Sequence, residues 1–166
     1  MKRVILPILL IVVALITPTV CIVKNIQFKQ DCSGYLKQAA DANTAEIALN
    51  RVTKALEYIE RNHLTDGYTS VLWKTEDENI GFWYKNIKAC KAELEDCLGS
   101  SQLVKTNVLM KVRESLTDSG NRTVLTIPDG LHKYPNNKEF FIFAWLSVIA
   151  IAGGLIWIMF VIYDYL

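Results

Sequence analysis

Hydrophobic positions divide the chain into three parts. Residues 4–23 and 140–163 are apolar runs of 20 and 24 residues without a single charged side chain. At about 1.5 Å per helical residue, each run is long enough to cross a hydrocarbon core of about 30 Å. The intervening residues, 24–139, alternate apolar and polar positions with helical periodicity. In 44–62, Ala45, Ala48, Leu49, Val52, Ala55, Leu56 and Ile59 recur at spacings of three and four, the signature of a helix with one buried face. Asn43 with Glu46 reads as a capping pair at its start, and Gly67 marks a turn beyond its end. A second stripe runs through Ile80, Trp83, Tyr84, Ile87, Cys90, Leu94 and Cys97 in 78–98, with Asp77 as the expected cap. A third, in 102–117, carries Val108, Leu109, Val112 and Leu116, with Ser101 as the cap and Gly120 past the end. Residues 27–40 form a weaker helical pattern that could prolong the first apolar run, and Gly34 counts against it. Residues 123–127 read as a short extended piece before the turn Pro128–Asp129–Gly130. Asn136 or Asn137 would then open the second apolar helix.

The expected fold is therefore all-α: a three- or four-helix bundle between two transmembrane helices, with a short extended segment before the second. The predicted boundaries are a cytoplasmic start at 1–3, a first span at 4–23, a helical domain at 24–139, a second span at 140–163 and a cytoplasmic tail at 164–166. The first run is longer than the 7–15 apolar residues of an ordinary secretory signal, which favours a retained anchor over a cleaved leader. Lys2 and Arg3 beside the first span place that end in the cytoplasm, and two crossings return the other end to the same side. The middle domain is then extracytoplasmic.

Charge refines this picture. Of 18 Lys and Arg and 17 Asp and Glu, all but Lys2, Arg3 and Asp164 lie in 24–139, which holds 16 of each sign. A neutral domain lacks the basic face that nucleic acid requires. The partners expected are the lipid bilayer and either a membrane protein or further copies of the chain. In the second span, Ser147, Ala150 and Gly154 recur at spacings of three and four, with Gly153 adjacent. Small residues in that pattern let helix backbones approach closely in lipid. The face would meet either a foreign helix or the chain's own first span.

Three cysteines lie outside the apolar runs. Cys90 and Cys97 are seven residues apart on one predicted helix, about 10 Å along its axis, too far to bridge. If 27–40 folds back against 44–62, Cys32 comes level with Cys90, so Cys32–Cys90 is the favoured disulfide. If that helix runs straight on instead, Cys97 gains as the partner of Cys32, and buried free thiols are the other alternative. Glu60 and His63 have the Glu-x-x-His spacing of di-metal bundle sites, but no second such motif accompanies them. No nucleophile elbow or phosphate-cradling loop occurs, so no cofactor is expected and a non-enzymatic role is. Asn121–Arg122–Thr123 fits a glycosylation acceptor in a eukaryotic secretory route.

The connector Tyr68–Thr69–Ser70–Val71–Leu72–Trp73 and the following Gly81–Phe82–Trp83–Tyr84 are unusually aromatic. Neighbouring helical side chains point about 100° apart, so Phe82 must face away from Trp83 and Tyr84. Tyr68, Trp73 and Phe82 are thus the candidate partner contacts, unless the connector folds over Phe82. The span–helical domain–span layout resembles the extracytoplasmic part of bacterial chemoreceptors and sensor kinases in architecture alone. Those proteins continue into a cytoplasmic signalling region, whereas three residues follow the second span here, so the layout implies no functional residue and no autonomous receptor. The expected function is a non-enzymatic membrane subunit that stabilises a larger assembly, with a ligand-sensing domain as the alternative.

Overall fold

The computed structural model describes residues 2–72, 74–118, 124–131 and 138–163. Of the described residues 77% are helical and none forms a strand, so the chain is all-α. The helices are α1 (Lys2–Ala14), α2 (Ile16–Phe28), a π turn (Lys29–Ser33), α3 (Gly34–Ala40), α4 (Ala45–Arg61), α5 (Ile80–Cys97), α6 (Gln102–Leu116) and α7 (Lys138–Tyr163). They fall into two compact units, residues 1–24 with 137–166, and residues 25–136.

In the first unit α1 packs against α7. The helical run Pro7–Ala40 and α7 are each long and apolar enough to cross a membrane. Only 11% of the most apolar window of each is buried within the protein. Ile8, Leu9, Val12 and Val13 on α1 and Ile149, Leu155, Met159 and Phe160 on α7 are among the many large apolar side chains left exposed.

The second unit is a ring of four helices: α3 packs on α4, α4 on α5, α5 on α6, and α6 back on α3. The three apolar stripes supply its core. Val52, Ala55 and Ile59 of α4, Ile80, Ile87 and Leu94 of α5 and Val112 and Leu116 of α6 are buried together. Each fully buried Ile or Leu contributes roughly 1.5–3 kcal/mol. Leu131, after the turn at Gly130 (φ 75°), joins the same core.

The helix ends differ from expectation by one or two residues. Thr44, not Asn43, caps α4, its hydroxyl accepting from the Ile47 amide at 3.3 Å. Residues Glu76–Glu78 form a 3-10 turn, so Asn79 replaces Asp77 as the cap of α5 and accepts from the Phe82 amide at 3.0 Å. Ser101 precedes α6 without a side-chain cap bond. α4 ends in a Schellman motif: Leu64 N–H donates to Ile59 O at 2.9 Å and His63 N–H to Glu60 O at 3.1 Å, with His63 at φ 56°.

The weak pattern at 27–40 conceals the π turn. Phe28, Cys32, Leu36 and Ala40 are all buried and four residues apart. In a pure α-helix each four-residue step drifts by about 40°, enough to rotate Ala40 well away from Phe28's face. A turn closed from residue i to i+5 takes in one extra residue and offsets that drift. Gly34 fits this turn. Its N–H donates to Lys29 O, and a Cβ there would lie 2.8 Å from that oxygen.

The extended piece survives in its described part, 124–127. Leu125 makes an antiparallel bridge with Thr117, with Asp118 N–H donating to Val124 O at 2.9 Å and Thr126 N–H to Leu116 O at 3.0 Å. Trp73, the acceptor motif at 121–123, His132 and the cap at 136–137 lie outside the described residues.

Candidate functional site

The candidate residues gather at two features of the chain: the α1–α7 seam and a groove on the helical unit. At the seam, Gly154 is buried, and a Cβ placed on it would lie 2.9 Å from Ile11 Cγ1 and 3.3 Å from Pro7 O. The small-residue face therefore admits the chain's own α1. Ala150 is half-buried on the same face. Ser147 donates to the Phe143 carbonyl at 2.8 Å, and its Oγ lies 2.9 Å from Thr17 Oγ1. Gly153 is different. It is exposed, and a Cβ there would meet nothing within 4 Å. The expected four-residue face thus divides into three positions turned towards the seam and one turned away.

The cysteines are free thiols. Cys32 is buried in the π turn and Cys90 on α5, and the favoured disulfide between them is absent. No Cα of the π turn lies within 8 Å of one in α5, whereas bridged residues need about 4.4–6.8 Å. The register argument treated α5 as the neighbour of residues 27–40. In the ring, α4 and α6 are the neighbours of α3, and α5 stands diagonally opposite. Cys90 instead faces α6. Burial pushes its thiol above the ordinary range, against a smaller opposing pull from the Ser115 hydroxyl. Cys97 donates to Leu94 O at 3.3 Å within its own helix.

Glu60 and His63 have separate structural tasks. Glu60 accepts a 2.7 Å hydrogen bond from the Tyr84 hydroxyl, which raises that phenol above its usual value. His63 turns the chain at the end of α4. Three further polar contacts tie helices together. Arg113 of α6 donates through Nε to Ala40 O at 2.8 Å and so satisfies the C-terminal end of α3. Lys105 pairs with Glu46 at 2.9 Å and lowers that carboxyl through their hydrogen bond. Lys111 pairs with Glu93, whose hydrogen bond raises the lysine.

The described part of the aromatic connector leaves Phe82 exposed. The turn before it, not the connector itself, lies against the neighbouring Gly81, where a Cβ would lie 3.7 Å from Asp66 Cα and from Thr65 O. Thr69 N–H donates to Glu78 O at 3.1 Å and Ile80 N–H to Gly67 O at 2.9 Å, which fixes the connector on that side. Tyr68 is half-buried, with Lys74 Nζ 5.5 Å from its ring centre. Phe82 is left 63% exposed. Beside it opens a groove of about 690 Å³, walled by 75–79 and the first turns of α5 on one side and by 115–118 and 124–129 on the other. Its floor includes Trp83, Ile87, Leu116 and Ile127, while Glu76, Asp77, Glu78, Asp118 and Asp129 line its walls. Tyr68 is not part of the lining, so only Phe82 of the described candidate contacts belongs to this groove. The sequence signalled Phe82 through its helical phase. It could not signal the opposite wall, which comes from a segment some forty positions later.

No protein-family model, curated protein or solved structure matches the chain.

Proposed function

We propose that the chain is a two-span membrane protein whose helical unit lies outside the cytoplasm and which serves as a non-catalytic subunit of a larger membrane assembly. The observation that carries this reading is the α1–α7 pair. Its helices are fitted to each other at Gly154, yet about two thirds of their described apolar side chains are exposed. So much contiguous apolar surface has no place in water and suits lipid. The fit at Gly154 also supports retention of the first helix, since α7 is shaped to receive it. Lys2 and Arg3 support the orientation, with both ends cytoplasmic.

The helical unit supports an accessory role over small-molecule sensing. The space between its four helices is filled by packed apolar side chains. Its exposed Phe82 and the adjoining groove suit contact with another protein, where aromatic side chains anchor interfaces. Extraction of the native protein in mild detergent, followed by native mass spectrometry, tests the reading. A complex heavier than one chain, with partner subunits in fixed ratio, is the expected result. A strict monomer across several mild detergents contradicts it.

A further inference from the structure

Phe82 and Val124 both line the groove, with 63% and 48% of their surfaces exposed, above a buried floor. Among the described residues, the charge around this pair has one sign. Glu76, Asp77, Glu78 and Asp129 stand on the walls, and no lysine, arginine or histidine lines the groove among the described residues. The domain as a whole carries equal numbers of both signs, so the described lining of the groove is more acidic than the domain. The positive end of α5 accounts for carboxylates at 76–78. It does not account for Asp129 on the far wall, where the carbonyl end of α6 also favours a cation. Glu78 is half-buried on the same wall, and its Oε2 is shielded from solvent with no hydrogen-bond donor among the described residues.

We propose that this groove receives a segment of a partner protein carrying lysine or arginine beside a large apolar side chain. The proposal rests on the accessory-subunit reading and names the chemistry of its partner. The apolar side chain lies against Phe82 and Val124, and the cations meet Glu76, Asp77, Glu78 and Asp129. A cavity of about 690 Å³ holds a few side chains of a peptide segment and no folded domain. Lipid is a poor occupant, since anionic headgroups would be repelled by the walls. A metal ion is also a poor one, because no three His, Cys, Asp or Glu among the described residues are grouped to hold it.

The test is photocrosslinking in native membranes with benzophenone-alanine at Asn86, a lining position, in the full chain. The adduct is sequenced by mass spectrometry. The expected adduct is a peptide of another protein with Lys or Arg within about one helical turn of the attachment point. Its yield should fall at least tenfold in the triple variant Glu76→Lys, Asp77→Lys, Asp129→Lys. The neutral triple Glu76→Gln, Asp77→Asn, Asp129→Asn guards against misfolding and should give an intermediate loss. Adducts confined to lipid, to this chain (including 119–123), or to peptides without a cation overturn the proposal, as does equal yield in all variants. Native mass spectrometry of the same samples separates the two levels. A complex that keeps its mass without the crosslink removes the groove proposal and leaves the accessory reading. Absence of any complex removes the reading itself.

Discussion

His63 and Gly34 show how single backbone positions decide where a helix stops or continues. His63 holds φ 56° at the end of α4, a conformation that costs a non-glycine residue about 1–2 kcal/mol. His63→Gly should therefore raise stability by roughly 1 kcal/mol, measured by thermal unfolding of the detergent-solubilised chain. Unchanged or lowered stability would show that the imidazole makes a contribution of its own. Gly34→Ala should act the other way. In an ordinary helix interior that change gains about 1 kcal/mol. Here the new methyl meets Lys29 O at 2.8 Å, so a loss is expected, and a gain would mean that the turn relaxes to α geometry. Cys90 adds a pH dependence. Burial raises its thiol in the folded state, while the unfolded chain ionises near pH 8.5. The contribution is complete below that pH and is lost as pH rises towards the folded value. Cys90→Ala should flatten the alkaline decline of the melting temperature, and an unaltered slope would count against this assignment. Neither the π turn nor the Schellman end was legible in the chain. Gly34 was visible only as a poor helix former, and His63 only as half of a metal spacing near a helix end, because both geometries depend on backbone hydrogen bonds that leave no fixed residue code.

At the scale of elements, the stripes were legible because each helix buries one face, and Val52, Ile59, Ile87, Leu94 and Val112 sit where their spacing predicted. Helix adjacency was not legible. Periodicity gives a buried face but not which helix covers it, and this is why Cys32 was matched to a helix on the far side of the ring. Arg113 illustrates the same gap, since its partner Ala40 lies 73 positions away. Arg113→Met keeps the packing stem and removes the donor. A loss of about 1–2 kcal/mol is expected from the bare carbonyl end of α3, and no loss would place that carbonyl in water. For the membrane pair, Gly154→Leu should separate α1 from α7, while Gly153→Leu, directed at open space, should not. Cysteine crosslinking between α1 and α7 in nanodiscs reads both variants. Equal effects would contradict the seam.

For the whole molecule, the two-part organisation was written in the charge distribution. Long uncharged runs flank a neutral, helical middle, and the chain packs as two units, residues 25–136 and residues 1–24 with 137–166. The groove was half legible. Phe82 announced itself through helical phase, but its counterpart at 124–129 reaches the site through pairing with the end of α6. The account stands on two membrane crossings that leave the helical unit on one side. Protease protection in sealed, right-side-out vesicles, with an epitope at each end of the chain, tests this most directly. Both epitopes should be shielded until detergent is added, each on a membrane-held fragment, while the helical unit is cut from outside. An epitope digested without detergent, or a helical unit released from the vesicles in one piece with its second apolar run, would contradict it.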